Sequence, residues 1–204
     1  DALPWLTAGL AVDLGNLLMA AGDWPAAESW YRRALSLATE ERVEGGAILA
    51  KSNLIDVAII RGHWREAERL IREVSEYDHE RGQLRGLAID RYNRAFLCYL
   101  RHDLTRARRW LDEATGHFIT VKNERGRIDA ELLRAMIALS SGQRGDSPHE
   151  IAIPDRAADD QRIAWEVLSS WRTRGRIPPQ WDRLADITSP ELRYTLLALG
   201  NRAL

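Results

Sequence analysis

Three stretches decide the fold: Gly22-Asp23-Trp24-Pro25-Ala26-Ala27, Gly62-His63-Trp64-Arg65-Glu66-Ala67 and His102-Asp103-Leu104-Thr105-Arg106-Ala107. Each follows the last by forty positions, and Gly142 continues the series. Gly46, Gly86 and Gly126 form a second series with the same period, and Gly15, Ile55, Ala95 and Ala135 a third. Three series in one register mark internal repetition, the feature to establish before any other.

Each period reads as two helices. The first runs through 6–21, 46–61, 86–101 and 126–141, where apolar residues recur at three- and four-residue steps, as in Leu10, Leu14, Leu17 and Leu18. The second runs through 24–39, 64–77 and 104–118. No stretch alternates with period two, so no strand is expected. Gly22 and Gly62 suit the left-handed residue that ends a helix. Asp23 and Asp103 suit the N-cap of the next helix, and Pro25 suits its first turn. His63 is a poorer cap, but Glu66 stands three residues on, as in a capping box. Ala27, Ala67 and Ala107 are small where antiparallel helices would cross, with Trp24 and Trp64 expected to be buried beside the crossing.

Composition narrows the function. The 204 residues are 45 % hydrophobic, enough for a real core. Charged residues make up 29 % and the net charge is -1, so no direct nucleic-acid binding and no membrane association are expected. Only Lys51 and Lys122 among the 29 basic residues are lysines, and neither follows a phosphate-cradling glycine loop. Cys98 is the one cysteine; it excludes an intrachain disulfide, suggests a reducing, cytoplasmic setting, and reads as a buried inert thiol. The five histidines (His63, His79, His102, His117 and His149) are scattered over turns and helix ends. They form neither a metal-binding pair nor a nucleophile–base arrangement, so no catalytic residue, metal or cofactor is expected and the chain does not read as an enzyme. Arg101, His102, Arg106, Arg108 and Arg109 cluster near one turn, but Asp103, Asp112 and Glu113 stand among them, and a solvated helix face explains the group.

The fourth period departs from the pattern. Its first helix is followed by a segment with Gly142, Gly145, Pro148 and Pro154, which no helix can cross. The chain therefore divides into regular repeats over 1–141 (about 3–41, 42–82, 83–123 and the first helix of a fourth at 124–141), an inserted loop at 142–155, and irregular C-terminal helices over 156–204 that pack on the repeats. The apolar, nearly terminal Leu196-Leu197-Ala198-Leu199 and the missing initiator Met suggest a piece of a larger chain.

The run Gly22, Asp23, Trp24, Ala27, Tyr31, Ala34 resembles the second half of a tetratricopeptide motif, and Leu14, Gly15, Leu18 its first half. Leu54, Gly62, Trp64 and Ala67 match in the second repeat; Ala95, Leu104, Ala107, Leu111 and Ala114 match in the third. The resemblance covers about residues 3–141. The usual repeat has about 34 residues; the longer period here is similar to the sensor arms of large bacterial ATP-dependent LuxR-type transcription activators, to kinesin light chains and to Gram-positive pheromone receptors.

That resemblance implies an all-α, right-handed superhelical solenoid of antiparallel helix pairs, with the first helix of each pair lining a concave groove. It places Gly9, Val12, Asp13, Asn16 and Met19 in the groove from the first repeat, then Leu49, Ser52, Asn53, Asp56 and Ile59. Ile89, Tyr92, Asn93, Phe96 and Tyr99 follow, and Asp129, Leu132, Leu133, Met136 and Leu139 close the set. It also implies that Asn53 and Asn93 grip peptide backbone, since an amide both donates and accepts. The alternative is that they bond within the helix pair and hold the stack. Val12 and Ile89 stand where a carboxylate clamp needs basic residues, so no such clamp is implied. Arg94 and Arg134, forty apart beside the groove, suit a carboxylate or phosphate, or else an ion pair with Asp90 or Glu131. The expected function is protein or peptide binding, as the sensor, scaffold or assembly arm of a larger bacterial regulatory protein. The alternatives are a small-molecule effector site by the 142–155 insertion and homo-oligomerisation.

Overall fold

At six places the backbone turns into the left-handed region, once every twenty residues: Gly22, Arg42, Gly62, Gly82, His102 and Lys122, with φ between +54° and +80°. Behind each, the next residue's N–H reaches back five positions. Asp23 donates to the Leu18 carbonyl (2.9 Å), Val43 to Ala38 (2.7 Å), His63 to Ala58 (2.8 Å), Gln83 to Asp78 (2.8 Å), Asp103 to Cys98 (2.9 Å) and Asn123 to Phe118 (2.9 Å). This is the closure that satisfies the last carbonyls of a helix and turns the chain back. In the computed structural model, which describes residues 4–141 together with 159, 161–164 and 166, these turns separate α1 (Pro4–Ala21), α2 (Trp24–Glu40), α3 (Glu44–Ile60), α4 (Trp64–Glu80), α5 (Leu84–Leu100), α6 (Leu104–Thr120) and α7 (Glu124–Ser140). The fold is all-helical, with no strand among the described residues.

Helices α2 and α6 start where their caps predict. The side chains of Asp23 and Asp103 accept from the N–H groups of Ala26 (3.1 Å) and Arg106 (3.0 Å). The side-chain Oδ1 of Asn123 accepts from the N–H of Gly126 (3.1 Å) and starts α7 in the same way. The capping box expected at His63 and Glu66 does not form: His63 makes no side-chain cap. Its N–H is already donated to Ala58, and Glu66 turns to Arg32 instead.

Two compact units make up the chain, Asp1–Gly86 and Leu87–Leu204. In the first, α1 packs on α2, α2 on α3, and α3 on α4. In the second, α6 packs on α7, and α5 meets α6 where the Tyr92 ring lies 6.4 Å from that of Phe118 and Arg91 pairs with Glu113 at 3.2 Å. The fourth repeat's expected loop at 142–155, and almost all of 156–204, lie outside the described residues. Gln161, at 1 % exposure, donates to the Arg125 carbonyl (3.2 Å) and to Asp129 (2.8 Å), seating it on α7.

Side chains of the second helices explain the glycine series. Each buries one stripe at spacings of four, three and four: Ala27, Tyr31, Ala34, Ala38 on α2; Ala67, Ile71, Val74, Asp78 on α4; Ala107, Leu111, Ala114, Phe118 on α6. The last member of each stripe lies against a glycine of the next helix. A Cβ at Gly46 would stand 3.2 Å from Ala38 Cβ, while at Gly86 and Gly126 it would come under 3.0 Å from Asp78 and Phe118. Gly15 is likewise filled by the Tyr31 ring. These glycines thus belong inside helices, which is why α3, α5 and α7 begin two residues earlier than expected from sequence. Ala27, Ala67 and Ala107 are fully buried at the crossings. Trp64, expected to be buried, keeps 37 % exposure.

Asp78 is the exception in this scheme. It is 3 % exposed between apolar equivalents, and its carboxyl makes no hydrogen bond among the described residues. Burial raises its pKa above the ordinary value. A raised folded-state pKa means the carboxylate opposes folding once ionised, and that penalty fades as pH falls through the folded value. Asp78→Ala, which copies the Ala38–Gly46 pair, should raise stability at pH 7 by about 1 kcal/mol, with the gain shrinking towards the unfolded carboxyl pKa; urea melts at several pH values measure it. At the turns, His102→Gly should stabilise and Gly62→Ala destabilise, each by about 1 kcal/mol. Thermal melts should show opposite shifts of about 2–4 °C for a chain of this size.

Candidate functional site

The positions assigned to a groove from sequence separate by depth. Asn16, Leu49 and Ile89 are exposed, while Asn53, Asp56 and Tyr92 are half-buried. Phe96, Tyr99 and Met136 are buried, at 3 %, 1 % and 2 % exposure. The last three differ from their expected role, because a first helix is covered on two sides and a position beside the outward face already lies in the core. Phe96 stacks with Tyr92 at 6.5 Å between ring centroids, and the Tyr99 hydroxyl lies 3.3 Å from Ser140 Oγ. Val12, Met19, Ile59, Leu132 and Leu133 are buried too. The side chain of Leu139 lies outside the described residues.

Among the amides, Asn16 is engaged: its Oδ1 accepts from the Tyr31 hydroxyl at 2.8 Å, pinning the ring that fills Gly15. Asn53 and Asn93 differ. Neither side chain makes a hydrogen bond among the described residues, so neither holds a helix pair together by that means. Asn53 is half-buried on α3, one turn after Leu49, which is 50 % exposed. Asn93 is 7 % exposed on α5, one turn after Ile89, which is 41 % exposed. Each unit therefore repeats one pattern: a bare aliphatic side chain followed by an amide with its donors and acceptor uncommitted.

The two arginines are committed within unit 2. The Arg94 guanidinium lies 5.3 Å over the Trp110 ring. Arg134 pairs with Asp112 at 2.7 Å and with Glu131 at 3.6 Å, and donates to Thr115 at 3.4 Å. The ion-pair alternative weighed from sequence therefore describes Arg134, through Glu131 and a further partner on α6.

One cluster escaped the sequence reading. Glu28 of α2, His63 of the turn before α4 and Glu66 of α4 bring their ligand atoms within 4.8 Å of one another, a spacing that could hold a metal. Arginines already answer these carboxylates: Arg32 bridges Glu28 and Glu66 at 2.8 Å each, and Arg61 pairs with Glu28. Burial pushes the Glu28 carboxyl up, but the hydrogen bonds and charges of Arg32 and Arg61 outweigh it and hold its pKa below the ordinary value. The pairs span 33 and 34 residues, a separation that becomes adjacency only once the helices stack. The arrangement clasps α2 to α4 across the end of α3.

No described helix is long and apolar enough to cross a membrane. Compared with family models, curated proteins and solved structures, the chain matches none of them.

The uncommitted amides make a stability test. Asn53→Ala should leave thermal stability unchanged or raise it by about 0.5 kcal/mol, since alanine is the better helix former and no bond is lost. An amide that held the stack would instead cost about 1 kcal/mol or more on removal, and a lower melting temperature for Asn53→Ala would show that role.

Proposed function

We propose that the chain is a protein- or peptide-binding helical-repeat module, and that the outward face of α3 in the first unit and the equivalent face of α5 in the second each offer a ligand contact. The observation that carries this reading is the repeated pair: Leu49 with Asn53, and Ile89 with Asn93. A bare aliphatic side chain rewards burial of an apolar ligand residue. An uncommitted amide one turn away pairs with the N–H and C=O that any peptide backbone presents. Half-buried Asp56 and Tyr92 flank these positions and would set the register and polarity of what is bound. An apolar extended segment or amphipathic helix fits such a face better than an acidic tail.

In this reading the helix pairs stack as a right-handed tetratricopeptide-type superhelix, and the module is the sensor, scaffold or assembly arm of a larger bacterial regulator. The forty-residue repeat supports the first part and the resemblance of its motifs the second. Panning a random-peptide display library on the chain, then measuring selected peptides by fluorescence anisotropy, tests the proposal. Asn53→Ala and Asn93→Ala should each weaken binding by up to about tenfold with the fold intact, the worth of one or two hydrogen bonds. Failure to select any peptide, or equal affinity in all three proteins, would remove these faces from the function.

A further inference from the structure

Gln161 is the most deeply buried polar side chain among the described residues, at 1 % exposure. Its amide donates to two acceptors of α7, the carbonyl of Arg125 (3.2 Å) and the carboxylate of Asp129 (2.8 Å). Residues 159, 161–164 and 166 are helical. Ile163 and Ala164, at 8 % and 0 % exposure, are buried with Gln161, while Asp159, Arg162 and Glu166 are exposed. The segment is thus amphipathic, and Gln161 sets its buried side on α7.

The repeat gives that contact its meaning. Asp129 stands forty positions after Ile89 and eighty after Leu49. It therefore holds on α7 the place of the bare aliphatic residue on the proposed ligand faces of α3 and α5. Leu133 likewise follows Asn93 and Asn53, and it is 1 % exposed. The face that is half-open and polar on α3 is closed on α7, where a helix of the chain itself lies on it.

We propose that the partner taken by the faces of α3 and α5 is an amphipathic helix, of which the segment around Gln161 is the chain's own example. The inference rests on the reading of those faces as ligand contacts, and it chooses between the two forms which that reading allows. Backbone chemistry makes the choice. An extended segment brings an N–H and a C=O at nearly every residue, and each one buried without a partner costs about 1–3 kcal/mol. Each aliphatic side chain comes with one amide, Asn53 or Asn93, too few groups to answer such a backbone. A helix satisfies its own backbone. It needs only an apolar residue for Leu49 or Ile89 and a polar group for the amide one turn away. Gln161 shows one way of supplying it, since its amide reaches the carbonyl of a residue inside α7. On α7 the amide comes from the occupant, and on α3 and α5 from the receiving face. Their partner is accordingly a helix with an aliphatic residue and a Ser, Asn or Gln three or four positions from it.

The test pans two peptide libraries on the full chain: stapled, alanine-rich helices randomised along one side, and linear peptides with a central proline, which breaks a helix. Stapled helices should be selected, and Asn93→Ala should weaken the best of them by up to about tenfold. Proline peptides that bind as tightly, and are weakened by Asn93→Ala, would overturn the helical partner while leaving the ligand faces standing. Selection from neither library would overturn both. The internal example has its own test. Gln161→Glu sets a second carboxylate against Asp129 and should free the segment, raising the fluorescence of an apolar dye several-fold. Adding Asp129→Asn, whose amide can donate to the new carboxylate, should return it to the parent's level. Dye binding that Gln161→Glu leaves unchanged, or that Asp129→Asn does not restore, would show that this pair does not hold a helix on α7 and would overturn the proposal.

Discussion

The left-handed closure that ends each helix from α1 to α6 is the constraint on which the rest of the structure depends. It recurs at twenty-residue intervals with one hydrogen-bond pattern, from Asp23–Leu18 to Asn123–Phe118. Because each turn has the same geometry, six consecutive helices have the same length, seventeen residues. Equal helices joined by equal turns place equivalent residues at equivalent depths. That is why a forty-residue sequence period becomes a structural one, and why Ala27, Ala67 and Ala107 share one environment.

Within that frame the helix contacts are set by matched sizes. Tyr31 fills the space left by Gly15, and Phe118 the space left by Gly126. Forty positions on, Ile55 and Ile71 stand in place of Gly15 and Tyr31, and both are buried. Charge pairs then tie neighbouring helices at the rim: Lys51 to Glu73 at 2.7 Å in one repeat, Arg91 to Glu113 at 3.2 Å in the next. These two pairs stand forty residues apart, so the repeat extends to its electrostatics. Asp78 shows what happens when one member of the scheme is polar: the glycine opposite still admits it, but no partner comes with it.

Much of the fold was legible in the sequence because it rests on local chemistry. Gly22, Gly62, Asp23, Asp103 and the crossing alanines each have a conformational or steric reason to stand where they do. Arg42, His102 and Lys122 were illegible as left-handed residues, since nothing in an arginine, histidine or lysine announces that backbone; the closing hydrogen bonds impose it. Depth on the first helices was also hidden. Those helices are apolar on more than one side, so periodicity alone could not separate Asn53 on the outward face from Phe96, Tyr99 and Met136 in the core. The Glu28–Arg32–Glu66 cluster lay beyond local reading altogether, because it joins residues more than thirty apart. The free state of Asn53 and Asn93 likewise depends on what their neighbours do, which residue type does not reveal.

Hydrogen exchange at the six closing amides, those of Asp23, Val43, His63, Gln83, Asp103 and Asn123, tests this account most directly. If one turn geometry organises the repeat, all six should exchange slowly, protected like amides inside the helices they terminate, whether glycine or a larger residue precedes them. Fast exchange at Val43, Asp103 and Asn123, with protection only behind Gly22, Gly62 and Gly82, would show that the turns are not equivalent and would contradict the account.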